Sequence, residues 1–336
     1  MTLPLCIVGA GSIGMRHVAC ARALGSVRLT GIVDPGRADA LATLDAVPKD
    51  TRAAIVATPT GDHFATAMAC LNRGWAVLVE KPLTATLAEA RALCDRADTL
   101  GLPLLTGHHR RCHPVVAAAR DLVARLGDLV AAQGIWSLRK HDAYFDADWR
   151  RGAGAGPILT NLSHEVDLLR LLAGEIVQVS AMTAHAARGL AVEDTAVLSF
   201  RFAGGALGSF TLSDAGASPW AFEAATGENP AIAVRGPDPL RFIGTRGALE
   251  FPSLTLWQGS DWRSPITRTQ DPAGHRIDGI AVQLARFAAV AGGHRDDGLA
   301  TGRDGLATMR VMEAIARAVA TGQTQDITQK DDGHET

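Results

Sequence analysis

Residues 3–24 read LPLCIVGAGSIGMRHVACARAL, and this stretch decides the fold. Leu3 to Val8 is a short apolar, β-capable run, Gly9 to Gly14 is glycine-rich, and Met15 to Leu24 suits a helix that ends at Gly25. Strand, tight turn and helix follow one another within two dozen residues. The turn itself, Gly9-Ala10-Gly11-Ser12-Ile13-Gly14, matches G-x-G-x-x-G. On its own the hexapeptide serves equally well as a plain tight turn, so its context has to carry the argument. That context is a second apolar run, Val27 to Val33, ending in Asp34, 20 residues beyond Gly14. A strand before the motif, a helix after it and an acid at this spacing make a dinucleotide-binding fingerprint.

The physics of the fingerprint is local. Glycine lets the backbone approach a pyrophosphate, and the helix N-terminus offers unpaired N–H groups and the positive end of its dipole. Gly9, Gly11 and Gly14 shape the turn, and the amides of Ser12 and Ile13 are the expected donors. Asp34 accepts from the ribose hydroxyls and repels a 2′-phosphate, which favours NAD; Arg37 nearby keeps NADP open.

Working outward, Ala53 to Ala57 reads as a strand ending in Thr58-Pro59-Thr60, Trp75 to Val79 as a strand ending in Glu80-Lys81-Pro82, and Leu102 to Thr106 as another before Gly107. Helical composition fills Thr84 to Leu100. Repeated β-α units imply a parallel, doubly wound sheet. Only 24 residues separate Asp34 from Pro59, room for a short helix at Arg37 to Leu44 but not for a further full strand, so a strand of the usual sheet is missing here.

Past residue 125 the pattern changes. Leu129 to Leu138, Ile176 to Ala184, Thr195 to Phe202, Ala206 to Ser213 and Ala231 to Val234 read as strands of a large, mostly antiparallel open sheet, with Gly204-Gly205 as a hairpin turn. Gly302 to Gly322 reads as an Ala-rich helix. The expected class is therefore α/β: a Rossmann domain over 1–122, and an α+β substrate-binding and oligomerisation domain over 123–330 whose final helix is free to pack back on the first. Ser218 to Pro230, long and polar, reads as a loop or a substrate lid.

Composition fits a globular enzyme of two domains: 336 residues, 47% hydrophobic, 20% charged, formal net charge −2. No run of Lys or Arg exceeds two, which argues against a nucleic-acid partner. The N-terminus lacks a basic flank and a long apolar run, so neither a signal peptide nor a membrane span is expected, and residence is read as cytoplasmic. Five cysteines without a Cys-x-x-Cys read as reduced thiols.

Two segments carry the candidate chemistry. Lys81 of Glu80-Lys81-Pro82 sits at the carboxyl end of a strand, where open α/β sheets bind ligands, and Pro82 is a candidate for a cis bond. Residues 156–167, GPILTNLSHEVD, begin a helix continuing to Gly174, with proline in its first turn. At 100° per residue Ile158, Leu162, Val166, Leu169 and Leu172 share one face, whereas Thr160, His164 and Asp167 fall opposite, with Asn161 at the boundary. Histidine suits acid–base work near neutral pH, and a carboxylate three residues on can fix its tautomer. The plainer alternatives are a solvated Lys81 paired with Glu80, and a surface pair of His164 with Asp167. His108, His109 and His113 lack a completing carboxylate or cysteine, so no metal is expected.

Taken together, GAGSIGMRH, VATPTGDH, VEKPL, GHHRRCHP and DWRRGAGAGPILTNLSHEVDLLRLLAGE resemble the Gfo/Idh/MocA oxidoreductase family over nearly the whole chain. The resemblance implies a Rossmann domain, an open-sheet domain that builds homodimers or homotetramers, NAD or NADP as cofactor, and sugars or cyclitols as substrates. It implies Lys81 and His164 as the proton-handling pair, and places Thr58, Pro59, His63 and Glu80 beside the cofactor, with Trp149 and Arg150 near its nicotinamide half. One departure stands out: the commoner pattern has an aspartate four residues before the histidine, where this chain has Thr160 followed by Asn161. Neither is a general base, so both are expected to orient substrate hydroxyls, together with Asp167. The implied reaction moves a hydride between a nicotinamide cofactor and a secondary alcohol or ketone. Its rivals are a reductase of a cyclic diol, imine or nucleotide sugar, and a non-catalytic NAD-binding sensor.

Overall fold

A computed structural model describes residues 2–152, 155–229, 231–270 and 277–327, except for the side chain of Trp149. In chain order it builds β1 (Leu3–Val8), α1 (Ser12–Ala23), β2 (Val27–Val33), β3 (Ala53–Val56), α2 (Thr60–Asn72), β4 (Ala76–Val79), α3 (Leu87–Leu100) and β5 (Leu104–Thr106). There follow α4 (Pro114–Val123), β6 (Leu129–Ser137), α5 (Pro157–Ala173), β7 (Ile176–Ala184), β8 (Thr195–Phe202), β9 (Leu207–Ser213) and α6 (Phe222–Thr226). The chain ends with β10 (Leu240–Gly244), β11 (Gly247–Phe251), β12 (Thr255–Gln258), β13 (Thr267–Gln270), α7 (Gly279–Ala291), α8 (Gly302–Thr321) and β14 (Gln325–Asp326).

The chain divides into two compact units, Met1–His113 with Asp278–Met309, and Pro114–Ile277 with Arg310–Thr336. Composition alone put the boundary after 122; in the structure α4 goes with the second unit because Val115, Val116, Ala119 and Val123 pack into its core. Likewise Leu306 of α8 belongs to a core of the first unit, and Val311, Ala314 and Ile315 to that of the second.

In the first unit five parallel strands run in the order β2-β1-β3-β4-β5. The central strands β3 and β4 are apolar and buried throughout because both faces are covered, whereas the edge strand β2 carries the exposed Arg28. Cys6, Val8, Ala54, Val56, Val77 and Val79 face α2 and α3, whereas Leu5, Ile7, Ala53, Ile55 and Leu78 face α1 and α7. β2 is an edge strand, in keeping with a missing strand. The helix expected over Arg37 to Leu44 does not form: Leu41 N–H donates to Ile32 O and Leu41 O accepts from Asp34 N–H, so Leu41 pairs with the edge strand instead. Strand pairing there overrides a helical composition.

The register has a consequence for the site. Val33, Val8, Val56, Val79 and Thr106 pair in one row across the sheet. Each is the last residue of its strand, so Asp34, Gly9, Ala57, Glu80 and Gly107 leave the sheet along a single carboxyl edge.

The second unit is built on nine strands in the order β13-β12-β11-β10-β6-β9-β8-β7-β14, antiparallel except for β6 beside β9. Leu198, Phe200, Phe202, Phe210, Leu212, Leu240 and Phe242 alternate inward to a core shared with α4 and α5. Gly205 turns the β8–β9 hairpin with φ +91°, as Gly204-Gly205 led one to expect. Ala231 to Val234 is not a strand. The segment 218–229 is anchored by α6, whose Phe222 is buried and stacks on Phe251, an arrangement that suits a wall better than a lid.

Candidate active site

The glycine turn is held by contacts that no side chain would allow. Gly9 has φ +93°, and a Cβ there would lie 2.5 Å from the Ala57 carbonyl oxygen; a Cβ at Gly14 would overlap the Gly9 carbonyl oxygen. Both glycines are required by the chain itself. Gly11 differs: a Cβ there meets nothing within 4 Å. Gly11 is also the N-cap of α1, offers no side-chain cap, and the first turn holds no acid. The opening amides of α1, Ser12 and Ile13 among them, thus present unpaired donors to open space.

Asp34 stands at the far side of that turn. Its Oδ2 accepts from Ala10 N–H at 2.8 Å and its Oδ1 from Gly36 N–H at 2.9 Å, so the carboxylate is aimed by backbone donors. Arg37 is turned to Asp39, donating through Nε and Nη2 at 2.9 and 2.8 Å.

Behind the edge lie buried polar groups. Glu80, 8% exposed, has Oε1 2.8 Å from His17 Nε2 and accepts the Lys81 N–H through Oε2 at 3.2 Å. Burial pushes the Glu80 carboxyl up, but the hydrogen bond and charge of His17, with His109 and the Lys81 N–H, together outweigh it and the group ends below its ordinary value. Glu80 thus pins the backbone at Lys81. Burial, aided by Arg110, pushes the His109 imidazole down to about 3. His63 is 1% exposed, with Nδ1 2.8 Å from Pro82 O and Nε2 2.9 Å from Thr58 O. It ties the loops after β3 and β4 together. The Lys81–Pro82 bond is cis. Pro59 is the N-cap of α2 and Thr58 Oγ1 is buried with no hydrogen-bond partner among the described residues.

In the second unit α5 starts with Pro157 in its first turn and Gly156 as N-cap. Glu193 accepts from Ile158 N–H at 3.1 Å, and a side chain at Gly156 would overlap its carboxylate. The two-faced helix expected from periodicity is instead buried on every side from Leu162 to Arg170. Its charges are accommodated by pairing: Arg170 makes a bidentate contact with Glu175 at 2.9 and 2.8 Å. His164 is buried, and Asp167 is 1% exposed.

The first turn of α5 also holds a group that sequence reading missed. Lys140 Nζ donates to Thr160 Oγ1 at 3.1 Å, and Thr160 Oγ1 donates to Asn161 Oδ1 at 2.8 Å. Lys140 lies 3.4 Å from Asp214 Oδ2 and 4.7 Å from the Tyr144 ring centre. Arg150 stacks over the same ring at 4.1 Å. Lys140 comes 20 residues before Thr160 in a segment with no motif, so only the fold reveals it. Trp149, expected near the nicotinamide, has its side chain outside the described residues.

Residues 4–108 match an oxidoreductase family with an NAD-binding Rossmann fold, and residues 116–250 match the GFO/IDH/MocA C-terminal domain. The chain belongs to the Gfo/Idh/MocA family. Among its relatives is a 1,5-anhydro-D-fructose reductase from Ensifer adhaerens, 29% identical over 94% of this chain and 98% of that one. Similar folds include an NAD-binding oxidoreductase from Klebsiella pneumoniae (TM-score 0.80, 18% identity, 98% of this chain and 100% of that one). Another is an oxidoreductase from Agrobacterium radiobacter in complex with NAD+, L-tartaric acid and magnesium (TM-score 0.76, 17% identity, 97% and 99%).

Membership makes this an NAD-binding oxidoreductase, and the first unit fits that cofactor on its own geometry. Gly11 needs no glycine for the chain's sake, the N-terminus of α1 is uncapped, and Asp34 is aimed at the same loop. Strand spacing puts Asp34 and Glu80-Lys81 three strands apart, ~14 Å along the edge, a span suited to an extended dinucleotide. All five cysteines are free thiols, four of them buried. Among the described residues no group of three or more His, Cys, Asp or Glu is placed to hold a metal ion, and no helix is long and apolar enough to cross a membrane.

Proposed function

We propose that the protein exchanges a hydride between NAD and a secondary alcohol or ketone carbon of a small polyhydroxylated molecule, of the sugar or cyclitol class. The observation that carries this reading is the placement of Lys81: one residue beyond the shared carboxyl edge, its backbone pinned by Glu80, on the edge that begins with Asp34 and the Gly11 turn. The substrate class is supported by relatives named as sugar enzymes, among them the 1,5-anhydro-D-fructose reductase.

Gly9, Gly11, Gly14, Ser12 and Ile13 would hold the pyrophosphate and Asp34 the ribose; bound NAD supplies the carbon that accepts or returns the hydride. Lys81 and His164 handle the proton. In the oxidative direction the alcohol O–H passes its proton to one of them as the carbonyl forms; in reduction the same group returns it. A cationic Lys81 stabilises negative charge on the reacting oxygen, more strongly where water is excluded. Thr160 and Asn161 orient substrate hydroxyls. The reading extends to a cytoplasmic homodimer or homotetramer, without nucleic-acid or membrane partners; Val197, Leu207 and Ile243 lie exposed on the outer face of the nine-stranded sheet, apolar area suited to a second copy.

The test follows reduced-nicotinamide absorbance with purified protein, NAD+ and NADP+ separately, across aldoses, inositols and sugar acids. Turnover with NAD+ on a member of the panel supports the reading. Cofactor binding without turnover on any of them moves a reductase of a cyclic diol, imine or nucleotide sugar, or a cofactor-binding sensor, ahead of it.

A further inference from the structure

We propose that His17 of α1 is a positioning residue for Lys81: its bond to Glu80 holds that carboxylate on the Lys81 N–H and so sets the backbone from which the lysine reaches its substrate. This rests on the reading of Lys81 as a proton-handling group.

His17 stands where packing alone calls for an apolar residue. The buried stripe of α1 is Gly14, His17, Val18 and Ala21, at the i, i+3, i+4, i+7 spacing of a helix face turned to a core. His17 is 0% exposed, and its Nδ1 has no hydrogen-bond partner among the described residues. A buried nitrogen without a partner lowers stability, and an apolar side chain in the stripe would avoid that loss. What the imidazole gains lies at its other nitrogen, Nε2, 2.8 Å from Glu80 Oε1. A carboxylate only accepts, so Nε2 carries the proton and donates it.

The seat of the carboxylate is built from three sides. His17 takes Oε1, the Lys81 N–H donates to Oε2 at 3.2 Å, and the exit of β5 leaves room. A Cβ at Gly107 would lie 2.8 Å from Glu80 Oε2 and 3.0 Å from the Glu80 Cα. Gly107 has no positive φ, so space for Glu80, and not backbone conformation, calls for glycine there. With both oxygens held, Glu80 joins Lys81 to the helix whose opening amides, Ser12 and Ile13, are assigned to the pyrophosphate. The Lys81 backbone is thereby set against the element that holds the cofactor.

Charge decides whether the seat holds. Burial favours the protonated form of Glu80, and the opposing pull comes first from His17, by hydrogen bond and by charge, then from His109 and the Lys81 N–H. His109, in the turn after β5, is pushed down to about 3 by burial and by Arg110, so it is uncharged near neutral pH and cannot stand in for His17. Arg16 of α1 and Arg110 also act on His109, and both keep their charge throughout. Without the His17 bond, burial dominates and Glu80 takes up a proton closer to neutral pH. Protonation leaves the Lys81 N–H with a neutral, weaker acceptor.

The test labels only the lysine amides with ¹⁵N and follows them by NMR with NAD+ bound, from pH 8 to pH 5. The chain has four lysines, Lys49, Lys81, Lys140 and Lys330, so the Lys81 signal is assigned by its loss in Lys81→Arg. That signal is expected to stay fixed in the wild type, to titrate in His17→Leu and in His17→Met, and to be fixed again in His17→Gln, whose amide restores a donor. Adding Glu80→Gln to His17→Leu should abolish the titration, which separates Glu80 from His63 and His109. A signal that titrates in the wild type, one that stays fixed in a folded His17→Leu or His17→Met, or a titration that survives the double substitution overturns the proposal. On any substrate found in the panel above, kcat of His17→Leu relative to the wild type should fall about ten-fold from pH 8 to pH 6, with KM for NAD+ within about two-fold. A ratio that does not change with pH also overturns it. Absence of turnover on the whole panel counts against hydride transfer alone, and the titration still decides the part of His17.

Discussion

Two short segments carry the proposed chemistry, and they are built on opposite principles. The turn from Gly9 to Gly14 works through its backbone: its glycines are encoded within six residues, and the required ones are those whose Cβ would strike the Gly9 or Ala57 carbonyl oxygen. The first turn of α5 works through side chains brought from afar. Its cap is Glu193, the neighbour of Thr160 is Lys140, and that lysine is held by Asp214. A backbone site is written in local sequence, whereas a side-chain site is written in the fold.

The contrast can be broken at its strongest point with Gly14→Ala. The added methyl meets main chain, which cannot move aside, so we expect a loss of about 3 kcal/mol or more, or no folded protein, by urea unfolding. A variant with near-normal stability would show that the turn is looser than its geometry requires.

Next in size is the acid sensitivity of the support beneath Lys81. His109 has its folded pKa pushed down to about 3, below the unfolded value near 6.5. The unfolded chain therefore binds the extra proton first, and stability falls as pH drops from 6.5 towards 3. At pH 5 this amounts to about 2 kcal/mol relative to pH 7, at about 1.4 kcal/mol per pH unit. Glu80, held below its ordinary value, adds a loss only below the usual carboxylate range. Comparing urea midpoints at pH 7 and 5 for the wild type and His109→Gln checks it: the slope should flatten in the variant.

Gly11→Ala sharpens the comparison. With nothing within 4 Å of the new methyl, stability should change by about 1 kcal/mol or less, the ordinary cost of alanine at an N-cap. NADH affinity should fall ten-fold or more, since the methyl occupies the approach to the open amides. Unaltered affinity would place the pyrophosphate elsewhere.

The smallest effect is expected at Gly156→Ala. Here the obstacle is the end of the flexible Glu193 side chain, which can swing away at the expense of its bond to Ile158 N–H. A loss of about 1 kcal/mol in thermal or urea unfolding is expected. A Gly14-sized loss would mean that side-chain caps are as rigid as backbone.

These differences explain what could be read in advance. β1, β2, β7 and β8 have the boundaries that apolar runs and hairpin glycines indicate. The Arg37 to Leu44 helix failed because Leu41 found strand partners across the sheet edge, which helical propensity cannot register. β10 to β13 went unread because they are four or five residues long with charged or polar positions, Arg241 and Glu250 among them, and gain their stability from pairing. Asp34 and Lys81 were legible from position after a strand. The hydrogen bonds that His63 and Glu80 make within the fold required knowledge of which carbonyls and imidazoles the fold brings near.

The most direct test of the account is Lys81→Met beside the wild type, with NADH affinity and steady-state turnover measured on the same preparations. The account predicts unchanged NADH affinity and turnover reduced by about 10²-fold or more, the ordinary loss on removing a proton-transfer group. Turnover retained within a few-fold in a folded, NADH-binding variant would contradict it.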